Sequence, residues 1–168
     1  MMRSKFIPLI PLLSVVFVGC TQLEHVSPYG YLGVKIGMSV SEANDKSGLN
    51  LSAGHNLDED DLYCHFVSPS GAASPYGFMV VEGRITRVDI RQGGIYTSTG
   101  LGVGSSESEV LKAYPNQVEV SPHRYTDGHY LTVSIADGYA IIFETDTKQV
   151  ERYRAGSYPS IAWIEGCL

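Results

Sequence analysis

Apolar and polar positions along this chain change period twice, and both times in the same way. Ile36-Gly37-Met38-Ser39-Val40-Ser41-Glu42-Ala43 lines up with Val103-Gly104-Ser105-Ser106-Glu107-Ser108-Glu109-Val110 at an offset of 67 residues. Each stretch contains Ser-x-x-Glu, a capping box in which the Ser oxygen and the Glu carboxylate satisfy backbone N–H groups that a helix start leaves unpaired. Short helices are therefore predicted from Val40 to Lys46, stopped by Ser47-Gly48, and from Glu107 to Tyr114, stopped by Pro115-Asn116. The Gly ahead of each box predicts a tight backbone entry.

After each helix the period becomes strand-like, with β-branched and aromatic residues alternating between turn dipeptides. The first copy predicts strands over Leu62 to Val67, Tyr76 to Val81 and Arg84 to Ile90, with Glu82-Gly83 as a tight turn and Ser68 to Ser74 as an exposed loop. The second predicts Val118 to Val120, Tyr130 to Ala136, Tyr139 to Glu144 and Gln149 to Arg154, divided by Asp127-Gly128 and Asp137-Gly138. Both dipeptides favour the positive φ of tight hairpins. Tyr63 falls opposite Tyr130 at the same offset, and Phe78 to Glu82 resembles Ile141 to Glu144 with a small gap. The expected fold class is α+β: two tandem helix-plus-antiparallel-meander repeats, 31–93 and 94–168, forming one compact body with the helices on one face of the sheet.

The N-terminal stretch has a different pattern. Arg3 and Lys5 precede an almost wholly apolar run from Phe6 to Val18, about thirteen residues against the roughly 20 of a membrane-crossing helix, and Pro8 and Pro11 interrupt it. Residues 1–19 are read as a signal peptide and 20–30 as a tether. Phe17-Val18-Gly19-Cys20 resembles a bacterial lipobox, with Phe17 where an aliphatic residue usually stands. The resemblance implies that Cys20 is diacylated and becomes the mature N-terminus, and Thr21 after it implies outer-membrane sorting. The expected location is the cell envelope, lipid-anchored at the outer membrane and facing the periplasm, with the acyl chains as the membrane contact.

Charge narrows the partners. The 168 residues carry 12 basic and 18 acidic side chains, a net charge of -6. Loss of residues 1–19 removes Arg3 and Lys5 and no acid, leaving ten basic against eighteen acidic, or -8. No basic stripe marks a nucleic-acid partner. Cys64 and Cys167 remain as an even pair in an oxidising compartment and are read as a disulfide, the alternatives being two unpaired thiols or, without Cys-x-x-Cys or paired-His spacing, a zinc site.

A lipobox, a Gly-Met-Ser-x-x-Glu-Ala helix start from Gly37 to Ala43 and a small antiparallel meander together resemble the BamE-like superfamily, the small accessory lipoproteins of the outer-membrane barrel-assembly machinery. In tandem, the pattern is also similar to the β-lactamase inhibitor protein fold. The resemblance implies a non-catalytic protein that docks on an envelope partner or into an enzyme's active site, and no functional residue transfers with it.

The densest polar-aromatic stretch is His123-Arg124-Tyr125-Thr126-Asp127-Gly128-His129-Tyr130. Tyr125, His129 and Tyr130 beside the turn are the candidate binding surface, since Tyr offers wide contact area with a polar tip. The alternative is a periplasmic hydrolase or metal-dependent enzyme built on His123, Asp127 and His129, although no third ligand, Gly-x-Ser-x-Gly elbow or Cys/His signature accompanies them. Gly100 to Gly104 lacks the Lys of a phosphate loop, and Asp58-Glu59-Asp60-Asp61 lacks calcium-loop spacing. Arg84, Arg87 and Arg91 near the end of the first copy, and Arg152 and Arg154 near the end of the second, place a basic face on one strand of each or pair with nearby acids. The sequence points to no cofactor and no catalytic set; a protein partner in the envelope is the expectation.

Overall fold

Dipeptides that accept left-handed backbone fold this chain back on itself. Glu82 and Gly83 have φ of 49° and 73°, and Asp137 and Gly138 have 63° and 77°, the paired positive values that a two-residue hairpin requires. The computed structural model describes residues 25–54, 57–59, 61–69 and 74–167. A short ribbon of β1 (Gly30–Tyr31) and β2 (Val34–Lys35) leads into helix α1 (Val40–Ser47). Strands β3 (Leu51–Ser52), β4 (Cys64–Pro69), β5 (Tyr76–Val81) and β6 (Arg84–Ile90) follow. Helix α2 (Glu107–Ala113) then precedes β7 (Val118–Pro122), β8 (His129–Ile135), β9 (Tyr139–Thr145) and β10 (Val150–Ser157).

All but the first two strands join one antiparallel sheet in the order β3-β4-β5-β6-β10-β9-β8-β7, so the two halves of the chain meet where β6 pairs with β10, from Tyr153 opposite Ile90 to Gly156 opposite Arg87. The halves are built alike at their helix entries. Gly37 N–H donates to Ile85 O and Ile85 N–H to Met38 O, while Gly104 N–H donates to Val150 O and Val150 N–H to Ser105 O. Gly37 and Gly104 both have φ of 93°, a backbone that L side chains rarely adopt. Ser39 and Ser106 each close a capping box with Glu42 and Glu109.

The α+β expectation of helix-plus-meander repeats is overturned: the described residues form a mostly antiparallel β structure with only two short α-helices among them. Capping boxes mark where a helix begins and carry no information on how much core it covers. The helices span eight and seven residues and bury only Ala43 and Val110 fully, too little to form a layer. The main core is made by one face of the sheet, including Phe78, Val88, Leu131, Phe143 and Tyr153, with the loop residues Val26 and Leu101 packed over it. Bulges interrupt the pairing of β6 with β5 beside Ile85 and of β10 with β9 after Val150, so that Ile85 and Val88, and likewise Val150 and Tyr153, enter the same core.

Candidate functional site

Because successive strand residues point to opposite faces, the residues between the core positions line a second face. In β6 these are Arg87 and Asp89, in β8 Tyr130, in β9 Ile142 and Glu144, and in β10 Arg152 and Arg154. The C-terminal segment from Tyr158 runs along this face as a strap. Ile161, in the 3₁₀ turn Ser160–Ala162, packs with Tyr130, Ala140 and Ile142 in a small second core. The end of the strap is tied to β4 by a disulfide between Cys64 and Cys167, 103 residues apart.

Arginines hold the strap from beneath. Arg87, 3% exposed, grips Asp89 through Nε and Nη2 at 2.8 and 2.9 Å and donates through Nη1 to Ser160 O and Trp163 O at 2.9 and 2.7 Å. Arg154, 4% exposed, donates to Ile161 O at 2.7 Å and to Glu144. The buried Glu144 also accepts from Arg152 Nε at 2.5 Å and faces His123 Nε2 at 3.3 Å. A buried charge is tolerated only when paired and hydrogen-bonded, and here carboxylates and strap carbonyls together meet that need. Burial lowers the Arg154 pKa from its ordinary value, against which the Glu144 carboxylate acts to raise it. The Tyr130 ring stacks on His123 with centroids 4.5 Å apart, and its buried hydroxyl has no hydrogen-bond partner among the described residues.

Around the strap the surface turns aromatic. Tyr63, Tyr125 and Tyr158 are 56%, 57% and 46% exposed, and the Tyr125 hydroxyl donates to Glu165 of the strap. Tyr63 and Trp163 form walls of two neighbouring clefts, one of about 460 Å³ that also includes Arg124 and Glu165, the other of about 320 Å³ that also includes Arg84 and Tyr158.

The residues singled out in the sequence are distributed over separate surfaces. Tyr125 stands on the rim of the strap face and Tyr130 lies buried beneath the strap. His129 precedes Tyr130 on β8 and therefore points the other way, its Nδ1 2.8 Å from Glu107 at the start of α2. His123 faces Glu144 on the strap side, so His123 and His129 do not converge, and among the described residues no group of three or more His, Cys, Asp or Glu could hold a metal ion. The Asp127-Gly128 dipeptide shows no positive φ; Gly128 is needed instead because a Cβ there would come 1.8 Å from Thr145 O. Asp58 and Asp61 accept each other's backbone N–H at 3.0 and 3.3 Å. Cys20 and Asp60 lie outside the described residues.

Sequence reading missed Glu144, Trp163 and the strap. Two signals pointed there: the Cys64 and Cys167 pair, which ties the end of the strap to β4, and the alternation Arg87-x-Asp89-x-Arg91 in and just after β6, matched by Arg152-x-Arg154 on β10, which puts four arginines on one face of adjoining strands. Compared with protein-family models, with curated proteins and with solved structures, the chain matches none.

Proposed function

We propose that this chain is a non-catalytic lipoprotein of the cell envelope, anchored through acylated Cys20 at the outer membrane, that binds another periplasmic protein through the strap face, as an assembly or inhibitor-like module. The observation that carries the reading is the cluster of Tyr63, Tyr125, Tyr158 and Trp163 around a segment pinned by a disulfide and by buried arginines. Tyr, Trp and Arg dominate the well-packed centres of protein interfaces, because rigid rings and planar guanidinium groups bury much area at low entropic cost. Pre-ordering the segment that carries Trp163 lowers the ordering cost of binding.

The test is site-specific photo-crosslinking in intact cells, with the crosslinker placed at Tyr63 or Tyr158 and, as a control, at Lys112 on α2. The expected outcome is a discrete adduct with the same protein from Tyr63 and Tyr158 and none from Lys112. Adducts absent from the strap side, or equally strong from Lys112, overturn the reading.

A further inference from the structure

We infer that the cleft between the strap and the β6–β10 junction takes the carboxylate of an acidic side chain from a protein partner, with Arg91 and Arg152 as its ligands; the inference rests on the protein-binding reading above and names the chemistry of the partner. The cleft has a volume of about 180 Å³, and its walls include Phe66, Arg87, Arg91, Glu144, Arg152 and Arg154. That is below the ~300–1,000 Å³ of small-molecule and cofactor sites, and suits one side chain of a larger partner.

Three of the four arginines share two bonded carboxylates. Asp89 serves Arg87, and Glu144 serves Arg154 and Arg152 together. Glu165, the third acid on the cleft, accepts from Tyr125. The Arg91 backbone N–H donates to Pro75 O, while its guanidinium makes no hydrogen bond or ion pair with the described residues and lies over the Phe66 ring, 5.5 Å from the centroid. Arg152 is held by Glu144 through Nε, and its side chain is 55% exposed. Two planar guanidinium groups with donors to spare, one backed by an aromatic ring, make a receptor for a carboxylate. The source follows from the charge of the rest of the chain. At a net -8 after loss of residues 1–19, ten basic against eighteen acidic side chains, the protein is repelled by an extended anionic surface, whereas a single acidic side chain inside the cleft lies within the ~8 Å screening length of the arginines.

The experiment is a two-dimensional NMR titration of the purified chain, following backbone amides and arginine Nε–H signals, with an eight-residue peptide of alternating Glu and Ala and with its Gln-for-Glu counterpart. Inorganic phosphate and vesicles of anionic phospholipid are the other two probes. The Glu peptide is expected to shift the Arg91 and Arg152 signals where the Gln peptide does not, and an Arg91→Gln, Arg152→Gln double variant with an unchanged amide spectrum is expected to bind at least tenfold more weakly. Absent shifts, equal shifts from the Gln peptide, or an affinity indifferent to the double substitution overturn the inference. So does tighter arginine-dependent binding of phosphate or of the vesicles, which would assign the cleft to a free anion or to lipid. Crosslinks from Tyr63 that persist without any arginine effect sink this inference alone; arginine-dependent peptide binding without those crosslinks sinks the proposed interaction surface alone.

Discussion

At the scale of single residues, the capping boxes show how four positions decide a local structure and its response to pH. The Glu42 carboxylate accepts Ser39 N–H at 2.8 Å and the Glu109 carboxylate accepts Ser106 N–H at 2.7 Å. These backbone bonds hold both pKa values below the ordinary carboxylate value, with the Ser hydroxyls acting in the same direction. Between the folded and the unfolded pKa the unfolded chain binds more protons, so stability rises with pH there. The contribution is complete above the unfolded value and lost as pH falls through the folded one. A Glu42→Gln, Glu109→Gln double variant is expected to lose less stability than the parent between neutral pH and the acid side of that range. Denaturant titrations at a series of pH values check this, and parallel curves for the two proteins count against it. These motifs were legible in the sequence because all their atoms lie within four residues.

At the scale of elements, the strap is held by contacts that no local pattern announces. Arg87 reaches carbonyls 73 and 76 residues away, and the disulfide closes a separation of 103. Cross-linking so long a loop restricts the unfolded chain and contributes up to about 4.7 kcal/mol in the chain-entropy model. A Cys64→Ser, Cys167→Ser double variant is therefore expected to lose stability of that order, with amide exchange accelerating first in residues 158–167. Equal denaturation midpoints and equal exchange in the strap would sink the assignment of its anchoring to this bond. The strand segments themselves were largely legible: Tyr76–Val81 and Arg84–Ile90 stand at the expected positions. The helices led the fold-class reading astray because a strong start signal says nothing of the small area that a seven- or eight-residue helix covers.

At the scale of the whole molecule, the proposed envelope location makes the tether and the body one problem, since a lipid-anchored face docks only partners within its reach of the membrane. Intact mass of the membrane-extracted protein tests the anchor: a chain beginning at Cys20 with added acyl mass is expected, and a Cys20→Ala variant without it. A full-length, unacylated wild-type chain removes the anchoring proposal. What the sequence by itself determined were features whose physics is short-ranged: helix starts set by Ser and Glu three residues apart, hairpins set by Glu82-Gly83 and Asp137-Gly138, and strand faces set by alternation. Only the tertiary structure decided how those pieces are shared. It joined two halves through β6 and β10, buried Tyr130 beneath the strap, and gathered Arg87, Arg91, Arg152 and Arg154 with Glu144 beside the C-terminal strap. Burial and charge pairing depend on which distant strands lie side by side, and that is a property of the sheet order, which local sequence does not encode.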